Sequence, residues 1–175
     1  MENKIAIYVD GSFKTINEHQ LIGSAYVVVN VDGSTVERKV AKEYEAGTHS
    51  WNVTGELNAV YGAVAYALQN NVSEVNIYHD LEGSAHWANK TWKAKKPETQ
   101  KYANYINRVR NEKGLIINFI HVKGHSGNMF NEVADKLAGE AIDEYAIANN
   151  LYPTVEISNV DETTQETELE VIDMF

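Results

Sequence analysis

The chain of 175 residues contains no cysteine. That excludes disulfide staples and thiolate zinc centres, and it suits a reducing cytoplasm. No apolar stretch approaches the length of a transmembrane helix, so a membrane-spanning role is not expected. The first residues, Met1-Glu2-Asn3-Lys4, lack the apolar core of a signal peptide and run straight into a strand pattern. Lysine and arginine are absent from residues 141–175, where nine acids stand. The formal net charge of −10 therefore describes an acidic end more than the whole chain. Residues 86–113 hold eight Lys or Arg against two acids, a net of +6, and form a candidate nucleic-acid surface. A hydrophobic fraction of 43% suffices for one domain of ordinary size.

Apolar periodicity divides the chain. Ile5 to Val9 reads as a buried strand, and Leu21 to Asn30 as a second. Asp32-Gly33 signals a hairpin turn, with Ser34 to Lys42 as the antiparallel partner. Leu57, Val60, Tyr61, Val64 and Leu68 then follow helical spacing, up to Asn70-Asn71. Val75 to His79 is a short strand. Residues 84–113 read as helical with a break at Pro97. Leu115 to Val122 is the most apolar strand, and Asn131 to Ala148 the last helix. The order β-β-β-α-β-α-β-α implies an α/β fold with a three-strand meander followed by parallel strands. A catalytic unit over residues 1–148 and an acidic, mostly disordered tail over 149–175 are expected.

Four acids stand where the local pattern does not ask for one. Asp10 ends the first apolar run and Asp80 the fourth strand; Glu56 opens the first helix and Asp135 lies within the last. Asp10 and Asp80 come side by side if strands one and four are neighbours. Singly, each has an ordinary reading as a turn former, a helix-start acid or a solvated residue. Together they are costly beside a core unless cations sit between them. Mg²⁺ and Mn²⁺ take oxygen ligands, and two such ions clamp a phosphodiester using acids from several elements. His125, between Gly124 and Ser126-Gly127, sits on a loop suited to moving a proton or helping product leave.

Asp10-Gly11-Ser12, Gly55-Glu56-Leu57, Tyr78-His79-Asp80 and Lys123-Gly124-His125-Ser126-Gly127, followed by Asn131 to Asp135, together resemble type 1 ribonuclease H over roughly residues 4–145. The stretch from Asp80 through Trp87 and Trp92 to Pro97 resembles the subgroup often found behind an N-terminal hybrid-binding module, which is expected to be absent here. The resemblance implies the ribonuclease H-like fold, a five-stranded mixed sheet of three antiparallel and two parallel strands with flanking helices. It implies Mg²⁺-dependent cleavage, with Mn²⁺ as a substitute, of the RNA strand of RNA–DNA hybrids, leaving 5′-phosphate and 3′-hydroxyl ends. Asp10, Glu56, Asp80 and Asp135 would hold two metal ions, with Glu56 near the 2′-hydroxyl, and His125 would assist product release. Gly11, Ser12 and Asn52 would touch the hybrid. Trp92, Lys93, Lys95 and Lys96 would hold the DNA strand. Leu81 stands where many members carry Ser, and Val53 follows Asn52 where many carry a second Asn.

Acidic tails usually solubilise, but this one ends in Val171-Ile172-Asp173-Met174-Phe175. That end resembles the peptides by which bacterial replication proteins bind the sliding clamp, with Val171 in place of the leading Gln. It implies such a partner through Ile172, Met174 and Phe175. Two further functions stay open: a DNA-cutting or strand-transferring nuclease on the same fold, and a non-catalytic hybrid-binding protein. The Lys-Gly-His loop favours ribonuclease H over the first, and the intact acids argue against the second.

Overall fold

The computed structural model describes residues 3–152. The expectations for the acidic tail beyond Tyr152, including the partner contacts of Ile172, Met174 and Phe175, lie outside the described residues. The chain runs β1 (Lys4–Ile16), β2 (His19–Val29), β3 (Thr35–Tyr44), α1 (Trp51–Gln69), β4 (Glu74–His79), α2 (Glu82–Ala88), α3 (Pro97–Arg108), β5 (Ile116–His121) and α4 (Met129–Ala148). A π-helical turn, Val109–Lys113, extends α3. The five strands form one sheet in the order β3-β2-β1-β4-β5. The β1, β2 and β3 meander is antiparallel, and β4 and β5 join it in parallel. This is the expected mixed α/β sheet. Among the described residues no helix is long and apolar enough to cross a membrane.

Side chains alternate across the sheet, and both faces are covered. Ile5, Ile7, Val9, Val28, Val75 and Ile77 pack with Leu57, Val60 and Val64 of α1 and with Tyr102 and Ile106 of α3. Ala25 and Val27 pack on the other face against Ala134, Leu137 and Ala138 of α4, with Tyr8 beside them. The alternation that sets Val9 against α1 therefore sets Tyr8 and Asp10 on the α4 side.

Two boundaries differ from the sequence reading in ways that shape the site. First, β1 does not stop at Asp10. It continues to Ile16, because Asp10 through Ile16 pair with β2. Only its pairing with β4 stops, at Tyr8 opposite Tyr78, whose rings stack at 4.4 Å. Second, α1 begins at Trp51, ahead of Glu56, so Thr54 is inside the helix. Its hydroxyl donates to the Glu98 carboxylate at 2.8 and 3.0 Å, tying α1 to the start of α3. Pro97 opens α3, where its missing N–H costs nothing.

Candidate active site

Where β4 ends, β1 runs on alone beside β2, and the sheet has no strand next to Asp10 on that side. The register that pairs Tyr8 with Tyr78 carries Asp10 and Asp80 to matching positions two residues further along. The expectation that they are neighbours holds. Glu56 enters the same gap from α1, and one carboxylate oxygen from each of Asp10, Glu56 and Asp80 lies within 4.8 Å of the others. Asp135 is not in that tight group. It stands on α4 as the fourth acid at the edge of the group, near enough for its charge to raise the Asp10 carboxyl.

Glycine makes the approach of α1 possible. A Cβ on Gly11 would lie 2.4 Å from the Glu56 nitrogen and from the Gly55 carbonyl carbon. A Cβ on Gly55 would meet the Gly11 Cα and the Gly23 oxygen at 3.0 Å. Three backbone segments therefore touch where any larger residue would hold them apart. The Ser24 hydroxyl adds a 2.7 Å bond to the Gly55 carbonyl. Gly11, expected to touch nucleic acid, packs against the turn that delivers Glu56.

The cluster is electrostatically costly. Asp10 is 6% exposed, and its carboxyl is pushed up to about 8, first by burial and then by the Asp80 charge, against a lowering bond from the Gly11 N–H. Glu56, 2% exposed, is raised well above the usual carboxylate range by burial and by Asp80 and Asp10. Its partners are the Leu81 N–H, at 3.2 Å from each oxygen, and the Ser84 hydroxyl at 3.3 Å. Ser84 is fully buried, and its carbonyl accepts from the Tyr102 hydroxyl at 2.7 Å. Departure from the Asp-Ser pattern at Leu81 leaves this contact intact, because the backbone N–H makes it.

His125 lies on the exposed loop between β5 and α4, in the left-handed backbone region at φ 54°. The loop adjoins the cluster through Gly124, whose added Cβ would sit 3.2 Å from Asp80 Oδ2. Asn128 caps α4 by accepting from the Asn131 N–H at 3.1 Å, which fixes the helix carrying Asp135.

The basic residues sit beside this centre. Trp92 is 43% exposed, stacks on His86 at 4.3 Å and meets Trp87 edge-on. With Lys90 and Lys93 these tryptophans line an open cleft of about 610 Å³. Lys95 is exposed, and Lys96 donates to Ser50 Oγ at 2.9 Å, which brings the basic loop to the start of α1. Asn52 is exposed on the first turn of α1, and Ser12 is half-buried on β1 next to Gly11. Trp51, at φ 31°, stacks on Phe13 at 4.4 Å between them. The sequence reading passed over Trp51, Phe13, Ser84 and Tyr102. For Trp51, Phe13 and Ser84 the only signal was an aromatic or hydroxyl side chain within five residues of an acid; Tyr102, far from all four in sequence, had none.

The family model described as RNase H matches residues 2–143. A ribonuclease H of Clostridium botulinum (strain Hall) is 29% identical over 154 residues, covering 82% of this chain and 99% of that protein. The N-terminal RNase H domain of a Mycobacterium tuberculosis protein superposes with a TM-score of 0.66 at 22% identity, over 85% of this chain and 99% of that one. LC11-RNase H1, solved in complex with an RNA/DNA hybrid, superposes with a TM-score of 0.65 at 24% identity, over 81% and 98%.

Proposed function

This chain belongs to the RNase H family, and from that premise we propose that it is a metal-dependent endoribonuclease that cuts the RNA strand of RNA–DNA hybrids. The observation that carries the reading is the meeting of Asp10, Glu56 and Asp80 within 4.8 Å at the end of β4, in a chain of this family. The hybrid as substrate draws support from the bound hybrid of LC11-RNase H1.

The residues present fit a hard divalent cation. The donors are carboxylate oxygens without thiolate or imidazole, the set that suits Mg²⁺ or Mn²⁺. Burial first, and neighbouring negative charge second, raise the carboxyls of Asp10 and Glu56, a cost that a cation would relieve. Asp10, Glu56, Asp80 and Asp135 would hold two ions. Bound there, such ions would supply the activation of water and the stabilisation of the leaving oxygen that two-metal-ion hydrolysis needs, with 5′-phosphate and 3′-hydroxyl products.

The protein's own groups do the rest. The Leu81 N–H and Ser84 hydroxyl hold Glu56, which would lie near the 2′-hydroxyl of the attacked strand. Gly11, Ser12 and Asn52 border that strand. Trp92, Lys93, Lys95 and Lys96 grip the DNA strand by aromatic contact and phosphate charge. His125, exposed on its loop, assists product departure.

The test incubates the protein with labelled RNA–DNA hybrid, double-stranded RNA and double-stranded DNA, each with Mg²⁺, Mn²⁺ or chelator. Metal-dependent cutting confined to the RNA strand of the hybrid is the expected result. Tight hybrid binding without cutting in either metal sinks the proposal, and cutting of DNA moves the protein to another nuclease class.

A further inference from the structure

Two histidines outside the acid cluster are tied to the turn that carries it. The ladder between β4 and β5 ends at His79 opposite His121, and the Val122 N–H donates to the His79 carbonyl at 2.8 Å. Past that point the Asp80 carbonyl has no backbone partner among the described residues, which is costly, whereas the Leu81 carbonyl accepts from the Ser84 N–H at 3.0 Å. His121 Nε2 faces the Asp80 carbonyl at 3.0 Å, and His79 Nδ1 faces the Leu81 carbonyl at 2.9 Å. A carbonyl only accepts, so each of those ring nitrogens carries the hydrogen. His79 is fully buried, and its other nitrogen has no hydrogen-bond partner among the described residues. Its ring therefore serves one contact, the one to Leu81.

The contact from His121 reaches further. The carbonyl it donates to belongs to the same peptide unit whose N–H donates to both Glu56 oxygens. The chain of bonds runs from the His121 ring, through the Asp80–Leu81 peptide, to the Glu56 carboxylate. Donation into the carbonyl polarises the peptide and strengthens its N–H as a donor. The same peptide follows directly on Asp80, so its orientation also sets where the Asp80 carboxylate points.

We propose that His121 and His79 are positioning residues that brace the Asp80–Leu81 turn from β5 and β4, and that His121 acts through one peptide unit to hold Glu56 and Asp80 in place for a divalent cation. The inference rests on the function proposed above. Neither ring touches a carboxylate, so both act at one remove.

His121 is exposed, so it can be replaced without opening the core. His121→Phe keeps a ring and removes the donor, whereas His121→Gln keeps an N–H at similar reach. The full-length variants are compared for metal-free melting temperature, for Mg²⁺ and Mn²⁺ affinity by calorimetry without nucleic acid, and for hybrid cleavage. H121F should melt like the wild type yet bind both ions and turn over about tenfold more weakly, the lower edge of what loss of an outer partner costs a metal site. H121Q should restore both. Wild-type metal affinity in H121F overturns the proposal, whether or not its melting temperature falls. So does an H121Q variant as impaired as H121F. A wild type that binds both ions and leaves the hybrid uncut overturns the function proposed above, while the affinities still decide on the brace.

Discussion

Asp10 shows at one residue how the site trades stability for function. Its carboxyl in the folded protein is raised to about 8, against an ordinary value of 3.8. Below the ordinary value the group is protonated both folded and unfolded, and it costs nothing. As pH rises the unfolded chain releases the proton while the folded one keeps it, so stability falls until the folded group ionises near pH 8. The metal-free protein should therefore melt at a lower temperature at pH 8 than at pH 5.5, and the gap should close when Mg²⁺ or Mn²⁺ is added. Asp10→Asn removes the titration, so its metal-free melting temperature should vary less over that range. It should rise by a few degrees at pH 8, the scale of about 1 kcal/mol in a domain of this size. The same variant should bind hybrid and fail to cut it. Cutting at the wild-type rate would show that Asp10 holds no metal. His125 predicts a milder loss, because its loop is exposed and its side chain stands apart from the tight acid group. His125→Ala should slow steady-state turnover by about tenfold to a hundredfold, the low end of proton-transfer effects, while single-turnover cutting falls less. Rapid-quench measurements beside steady-state rates would separate the two.

The contact between β1 and α1 carries the next prediction, at the scale of elements. A methyl group on Gly11 overlaps the backbone of Gly55 and Glu56, so Gly11→Ala must push α1 away from β1. Gly23→Ala overlaps the Ala138 carbonyl of α4, one helical turn after Asp135. Both should destabilise by about 1–3 kcal/mol, as forced overpacking does. Gly11→Ala acts on Glu56 of the tight group and Gly23→Ala only on the helix carrying Asp135, so Gly11→Ala should lose more metal affinity for the same loss of stability, which denaturant melts and calorimetry on both variants would check. These elements also show what could be read from sequence. The alternation in β1 and β2 and the helical spacing of Leu57, Val60 and Val64 follow directly from burial on one face, so these elements were legible; the neighbouring of Asp10 and Asp80 was legible only on condition that strands one and four pair, as they do. The continuation of β1 past Asp10 was not, because Gly11, Ser12 and Lys14 carry no apolar period; their pairing comes from β2, the next strand beyond the Asn17-Glu18 turn. Nor was the tie from His121 to the Asp80 carbonyl, since a contact 41 residues apart leaves no local pattern. His79, next to Asp80 at the end of β4, is buried.

At the scale of the whole molecule, charge is divided between a basic cleft beside the site and nine acids after residue 140. Two of these acids, Asp143 and Glu144, are already engaged on α4, with Lys14 and Lys39. The other seven lie beyond Tyr152. Acids joined covalently to a hybrid-binding body oppose the approach of phosphates, and the opposition reaches no further than a Debye length, about 10 Å at 0.1 M salt. Removing residues 153–175 should therefore tighten hybrid binding at low salt and change it little at high salt. The acid cluster and all nine described strands and helices lie ahead of the cut, so single-turnover cutting of a short hybrid should be unchanged. Binding isotherms across a salt series give the comparison. Lysine contacts to phosphate make affinity fall with salt, and the truncated protein should show the steeper fall, because at low salt it no longer carries the opposing charge. Parallel lines for the two proteins would mean that the acids beyond Tyr152 stay out of range of the bound hybrid. Loss of cutting on the short hybrid would mean that this segment belongs to the catalytic domain, against the division at residue 148.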